Sequence, residues 1–147
     1  MVIIAQETSF DEAEMFELYD SVGWHPWTRD VARVCRSLAN SHLVITARDQ
    51  SGKLLGLART VSDDEIVCYV QELLVDAQHQ GEGIGRRLLE HLKDRYAHCR
   101  YFVLTTDHES TPEGPANHAF YRRLDLIEHH EQGLSAFGLR VRDSRSL

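Results

Sequence analysis

No CxxC pair occurs in the 147 residues, and the three cysteines, Cys35, Cys68 and Cys99, are an odd number set far apart. That spacing supports neither a disulfide framework nor a structural zinc site, so they read as reduced, mostly buried small hydrophobes. Also missing is any apolar run of the roughly 18 to 20 residues that a membrane helix requires. The opening MVIIAQETSFDE has neither the basic start nor the long apolar stretch of a signal peptide. A soluble cytoplasmic protein with no membrane partner is expected. Positive charge is scarce as well: 16 Lys and Arg stand against 23 Asp and Glu, a net charge of −7. That balance points away from nucleic acid, and the short basic stretch from Arg140 to Arg145 does not reverse it. An acidic surface instead favours cationic small molecules.

With 42% apolar and 27% charged residues, the composition is that of an ordinary globular domain, and the length suits one domain over residues 1–147. After the apolar run 2–6, Ser9 and Glu12 have capping-box spacing and predict a helix starting at Ser9 and ending near Gly23. A second helix is predicted from Thr28, capped by its hydroxyl, to Asn40-Ser41. Two apolar, partly β-branched runs, 43–47 and 54–61, flank a turn at 49–52, and a third run, 66–75, follows the turn at 62–64. From Gln80 the period becomes helical, with Ile84, Leu88, Leu89, Leu92 and Tyr96 on one stripe. Tyr101 to Thr106 reads as a buried strand, so a parallel pair joined by a crossover helix is expected. A loop at 112–115, a helix over 116–124 and two strands, 126–131 and 134–141 around Gly133, complete the chain. The total is an α/β (α+β) fold: a mixed, mostly antiparallel sheet of about seven strands with about four helices.

The sharpest local feature is Gln80-Gly81-Glu82-Gly83-Ile84-Gly85-Arg86, between the long strand and the amphipathic helix. Alternate glycines let the backbone turn tightly and expose its N–H groups, and unpaired donors at a helix start attract phosphate. The third glycine arrives one residue too early for the dinucleotide fingerprint, and no Gly-Lys-Ser/Thr of a P-loop follows. A plain glycine-rich turn is the competing reading.

Gln80-x-x-Gly83-x-Gly85, preceded by Glu72-Leu73-Leu74-Val75 and followed by Arg86-Arg87-Leu88-Leu89, resembles the acetyl-coenzyme A motif of the GNAT superfamily of N-acetyltransferases. Asn117-His-Ala-Phe-Tyr121-Arg-Arg-Leu124 is similar to that family's second motif. The resemblance covers nearly the whole chain and implies a splayed parallel strand pair forming a cofactor cleft, with acetyl-CoA as acyl donor. By the same resemblance, backbone groups of Leu73, Leu74 and Val75 would pair with the pantetheine arm. The N–H groups of Gly81, Glu82, Gly83, Ile84, Gly85 and Arg86 would hold the pyrophosphate, Asn117 would bond the cofactor's arm, and Tyr121 would face the sulfur. The family's Leu-Gly-Phe is Leu124-Asp125-Leu126 here, so an Asp must take the turn after the helix. Dimers are common in that family, so a homodimer is compatible with the resemblance.

Acyl transfer to an amine needs the neutral amine, and with a pKa of about 10.4 its deprotonation at pH 7 costs about 4 to 5 kcal/mol. The leaving thiol, at about 8.5, needs an acid less. Tyr121 suits that acid role, as a phenol of pKa about 10 stays protonated; an amphipathic core tyrosine is the alternative. Glu72 is a candidate base: on a strand its face also carries Ile66, Cys68, Val70 and Leu74, where a carboxylate must be paired or line a cleft. An Arg-paired or rim-exposed Glu72 competes with that reading, and His108 or water are other candidate bases. Trp24 and Trp27 either shape an amine pocket, over which the family comparison puts that connection, or simply pack. Adjacent His129 and His130 point to opposite strand faces, so no metal site is read there. These features favour an acetyl-CoA-dependent N-acetyltransferase working by direct transfer in a ternary complex. The acceptor is a small-molecule or protein amine, and a non-catalytic acyl-CoA-binding sensor or interaction module is the alternative.

Overall fold

Strand β1 (Ile3–Gln6) pairs antiparallel with β2 (Leu43–Arg48), β2 with β3 (Leu54–Ser62), and β3 with β4 (Val67–Val75); β5 (Tyr101–Leu104) joins β4 in parallel. The sheet order is β1-β2-β3-β4-β5. Helices α1 (Glu12–Ser21), α2 (His25–Thr28) and α3 (Val31–Ala39) precede β2, α4 (Ile84–Arg95) links β4 to β5, and α5 (Gly114–Arg122) follows. These elements come from a computed structural model describing residues 1–140, which fall into two compact units, residues 1–104 and 105–140. The mixed α/β class and the parallel pair after a crossover helix match the expectation.

Two apolar layers enclose the sheet of the first unit. Ile45, Ala58, Cys68 and Val70 pack with Leu88 and Leu92 of α4 and with Tyr96 at its C-terminal end. On the other side, Leu57 and Leu74 pack with Met15, Leu18 and Tyr19 of α1 and Val34 and Leu38 of α3. Gly56 permits the close approach of β3 to β4, since a Cβ there would lie 2.8 Å from the Leu74 carbonyl oxygen, and it leaves room for Leu88 of α4, which that Cβ would meet at 3.4 Å.

β4 changes its facing part-way along. Arg59 pairs with Glu72 but Thr60 pairs with Val70, so Gln71 is an extra residue in the strand. Such a bulge shifts the alternation by one. Cys68 and Val70 therefore face α4, whereas Glu72 and Leu74 face α1 and α3. The expected common face of Cys68, Val70 and Glu72 is thus corrected, because period-2 counting holds only through an unbroken ladder.

Among the described residues the strand count is five, not about seven. Residues 126–131 form no strand; His129–Gln132 is instead one short 3-10 turn with Glu128 and Glu131 in a reciprocal capping box and Gly133 left-handed behind it. Local capping overrides the strand-like composition there. Residues 134–140 also lack strand pairing, and Val141, the end of that expected strand, lies outside the described residues. The same is true of the basic stretch beyond Arg140.

Helix starts move to stronger caps. Asp11, not Ser9, caps α1 by accepting from the Glu14 amide at 3.0 Å, and Asp30, not Thr28, caps α3 through the Arg33 amide at 3.1 Å. Carboxylates at helix N-termini gain from the dipole as well as from the hydrogen bond. Thr28 instead closes the additional one-turn α2. Asp125 takes the left-handed turn after α5, with φ 63°, as the missing glycine requires.

Candidate functional site

β4 and β5 pair only from Val67↔Tyr101 to Val70↔Leu104. From Gln71 to Val75, β4 continues along β3 alone, so the segment holding Leu73, Leu74 and Val75 has no β5 partner on its other edge. Backbone edges of this kind accept extended ligands by strand-like hydrogen bonding. This is the splayed strand pair that the resemblance implies.

The chain then turns through Asp76, whose carboxylate accepts from the Gln78 amide at 2.9 Å, into the glycine loop. Gln80 ties the loop back to the strand end, its amide nitrogen donating to the Val75 carbonyl at 3.1 Å. Gly81 and Gly83 have φ of 81° and 83°. Gly83 is the residue from which α4 departs, and no side chain caps that helix. Arg87 is the first residue here whose amide donates within the protein, to the Gly83 carbonyl at 3.1 Å. Among the described residues, the amides of Gly81, Glu82, Gly83, Ile84, Gly85 and Arg86 have no backbone acceptor. A run of such donors at the positive end of a 12-residue helix is a ready anion cradle. Arg86 is exposed and bonds Glu90 at 2.7 Å, and Glu82 lies 3.4 Å from His79. Arg87 donates to the Val2 carbonyl at 3.0 Å.

Glu72 is buried, only 2% exposed. Its carboxylate accepts from the Tyr19 hydroxyl of α1 and from the Trp27 indole N–H of α2 at 3.2 Å. Arg59 of β3 donates through Nη2 at 3.4 Å. The Arg59 Nε lies 3.2 Å from the second carboxylate oxygen, close enough for charge attraction but off the line of a hydrogen bond. Of the readings open for this glutamate, the Arg-paired one describes its surroundings. Sequence reasoning missed Tyr19 and Arg59 as its partners: the bulge hides the shared face, and α1 is remote in sequence. Burial, then the nearby Glu72 charge, pushes the Tyr19 phenol far above its ordinary range, so it stays a donor. Tyr19 packs edge-on to Trp24 with ring centres 5.9 Å apart, and Trp24 lies 5.6 Å from Trp27.

In residues 105–140, Pro115 stands in the first turn of α5. Asn117 donates from its side-chain amide to Asp107 at 3.2 Å, and His118 bonds the Asp107 carbonyl at 2.9 Å. Tyr121, one turn beyond Asn117, has its phenol pushed up to about 12, first by burial and then by the Asp107 charge. It is therefore a proton donor at any ordinary pH. His108 is exposed and tied to its own loop, its Nδ1 accepting from the Ser110 amide at 3.1 Å. His129 and His130 lie on the 3-10 turn rather than on a strand. His130 meets Glu128 at 3.3 Å, and Arg122 pairs with Glu128 and Glu131 at 3.4 and 2.9 Å. Glu128, His130 and Glu131 have ligand-type atoms within 4.8 Å of one another, and the guanidinium supplies the balancing charge there.

Among the described residues no helix is long and apolar enough to cross a membrane. Residues 39–125 match the family model described as the acetyltransferase (GNAT) domain. The chain is 28% identical over 110 residues to the chloroplastic GCN5-related N-acetyltransferase 2 of Arabidopsis thaliana, covering 62% of this chain and 42% of that protein. It is 25% identical over 130 residues to an uncharacterized N-acetyltransferase of Pyropia yezoensis, covering 86% of this chain and 71% of the relative. It thus spans less than half the length of the Arabidopsis relative. Its fold is that of a GNAT-family acetyltransferase from Streptococcus pneumoniae, with a TM-score of 0.79 at 23% identity over 97% of this chain and 100% of that one. A loop of unpaired amides after a splayed strand, together with the match over 39–125, establishes that this chain belongs to the GNAT acetyltransferase family.

Proposed function

We propose that the protein is an N-acetyltransferase that moves an acetyl group from acetyl-CoA to a primary amine by direct transfer in a ternary complex. The observation that carries this reading is the run of unpaired amides from Gly81 to Arg86, directly after a strand edge without a β5 partner. Those residues fit the donor: the loop amides suit a pyrophosphate, and the Leu73–Val75 edge suits an amide-containing arm. When bound, acetyl-CoA supplies an activated thioester. Gln80 holds the loop against the end of β4, while the assignment of Asn117 to the arm rests on the family resemblance alone.

Tyr121 is the proposed acid. Its raised pKa keeps the phenol protonated, so it donates a hydrogen bond to the developing thiolate; giving up the proton fully is uphill against a thiol of about 8.5, so its effect lies at or below the bottom of the roughly 10²- to 10⁴-fold range of general acids. Because a thiolate is also a good leaving group, the effect of Tyr121 is about ten- to hundredfold. The acceptor must lose a proton before attack; of the candidate bases Glu72, His108 and water, Glu72 already has both carboxylate oxygens engaged, which leaves His108 or water for that step. An acceptor carrying positive charge suits the net charge of −7. Residues 1–147 are proposed to act as one domain, supported by a family match over 39–125 that reaches from the first unit into the second, and the proposed site of action is the cytoplasm.

The test is thiol release from acetyl-CoA with a panel of small primary amines and peptides, alongside thermal unfolding with acetyl-CoA. Release with at least one amine and a raised melting temperature support the transferase. A raised melting temperature with no release from any amine favours a non-catalytic acyl-CoA sensor, and no change in either contradicts both.

A further inference from the structure

Glu72 carries more contacts than a proton acceptor can use. Both carboxylate oxygens are engaged: one faces the Trp27 indole N–H at 3.2 Å and the Arg59 Nη2 at 3.4 Å, the other the Tyr19 hydroxyl and the Arg59 Nε. The side chain is 2% exposed and Arg59 14%. A base must present a free lone pair to the acceptor's proton and then carry that proton. Protonating this carboxylate would instead leave Arg59 without its counter-charge and displace the donors around it.

The same contacts join four elements at one point: α1 through Tyr19, α2 through Trp27, β3 through Arg59 and β4 through Glu72 itself. α2 needs such an anchor. It is a single turn of four residues, its N-cap side chain makes no hydrogen bond, and no residue within it is buried. Its side chains are held by the Trp27 indole on Glu72 and by the Tyr19–Trp24–Trp27 ring contacts, beside the Trp24 amide on the Tyr19 carbonyl at 3.1 Å and the exposed His25–Asp20 pair at 3.3 Å. The anchoring carboxylate directly precedes Leu73–Val75, the strand edge proposed for the thioester arm. The Gln71 bulge is what turns it toward α1 and α2.

We propose that Glu72 is a positioning residue: its carboxylate, balanced by Arg59, fixes Trp27 and with it the Trp24–Trp27 turn as a wall of the amine-acceptor pocket, and it does not remove the acceptor's proton. This rests on the transferase reading. The residue that sets acceptor fit is then Trp27, and Glu72 acts through it.

The experiment compares wild type, Glu72→Gln, Trp27→Phe and Tyr19→Phe, using acetyl-CoA with tyramine, spermidine and an alanine-initiated peptide as amine probes. Glu72→Gln is expected to keep kcat within about threefold and to raise the KM for the amine at least fivefold, with the KM for acetyl-CoA within twofold. Trp27→Phe keeps the ring, loses the N–H, and is expected to show the same split. A fall of kcat by a hundredfold or more in Glu72→Gln, with Trp27→Phe like wild type, overturns the proposal and makes Glu72 the base.

A second readout needs no acceptor. Trp24 and Trp27 are the two tryptophans of the chain, so their fluorescence reports this turn. Acrylamide quenching is expected to rise at least twofold in Glu72→Gln, and unchanged quenching contradicts the anchoring. If Glu72→Gln does not fold, Tyr19→Phe and Trp27→Phe carry the kinetic arm. Failure of the wild type to bind acetyl-CoA or to acetylate any probe defeats the transferase reading, while quenching still decides whether Glu72 holds α2.

Discussion

Arg59 and Glu72 stand opposite each other on β3 and β4, at the last matched pair before the ladder shifts by one residue. Glu72 is buried and Arg59 only 14% exposed, so the pair is a largely internal charge balance rather than a surface bridge. Removing one member leaves the other charged and desolvated, at a cost of about 3 to 5 kcal/mol. Glu72→Ala is expected to lower unfolding free energy by that amount in a urea titration. A loss under 1 kcal/mol for Glu72→Ala contradicts the burial of an ionised pair.

Gly83 separates stability from ligand binding. A Cβ there meets nothing within 4 Å, so Gly83→Ala suffers only the left-handed backbone, about 1 to 2 kcal/mol. The substituted loop relaxes away from φ 83° and swings its amides, so acetyl-CoA affinity is expected to fall at least tenfold by calorimetry. Unchanged affinity contradicts the role given to the loop.

Tyr121 makes a statement about alkaline pH. Its folded pKa, about 12, lies above the ordinary phenol value of about 10. The acid is therefore present throughout neutral and mildly alkaline solution, and its contribution to stability is full below about pH 10 and lost as pH rises through 12. Tyr121→Phe is expected to lower kcat about ten- to hundredfold with the KM for acetyl-CoA unchanged. The wild-type rate should show no alkaline fall from this group below pH 10. An alkaline limb near pH 9 that vanishes in Tyr121→Phe contradicts that assignment.

At acid pH the first group to watch is Glu7, which accepts from Arg48 Nε at 2.7 Å and from Thr46 at 2.7 Å while Arg48 also pairs with Glu14. The bond from Arg48 holds the Glu7 carboxyl below its ordinary value. A depressed folded pKa contributes stability above the unfolded value and loses it as pH falls through the folded one. Glu7→Gln is expected to unfold at lower urea than wild type at pH 7, with the gap closing by pH 3, followed by circular dichroism. A gap independent of pH contradicts the pairing.

Much of this was legible in the sequence because the signals were local. The glycine loop, the hairpin at 49–52, the helical stripe from Ile84 to Tyr96 and the left-handed Asp125 each rest on a few neighbouring residues whose own physics decides the outcome. The bulge at Gln71 was not legible, since it exists only as a mismatch between two strands, and it alone decides which helices Glu72 meets. Tyr19, 53 positions away, is a partner that no spacing rule finds. The start of α1 went to Asp11 rather than Ser9 because two adequate caps compete, and the ionised one carries the dipole term too. The surplus strands failed similarly: Gly133 and the Glu128–Glu131 box favour a turn, whereas strand-like composition without a partner edge specifies nothing.

The central claim is that six successive amides at the start of α4 are free to hold a diphosphate. An amide-proton NMR titration of the protein with acetyl-CoA reads those groups one by one. Large shifts are expected at Gly81 through Arg86, together with Leu73 to Val75, saturating with the ligand. Saturable binding that leaves the Gly81–Arg86 amides unmoved would contradict the claim.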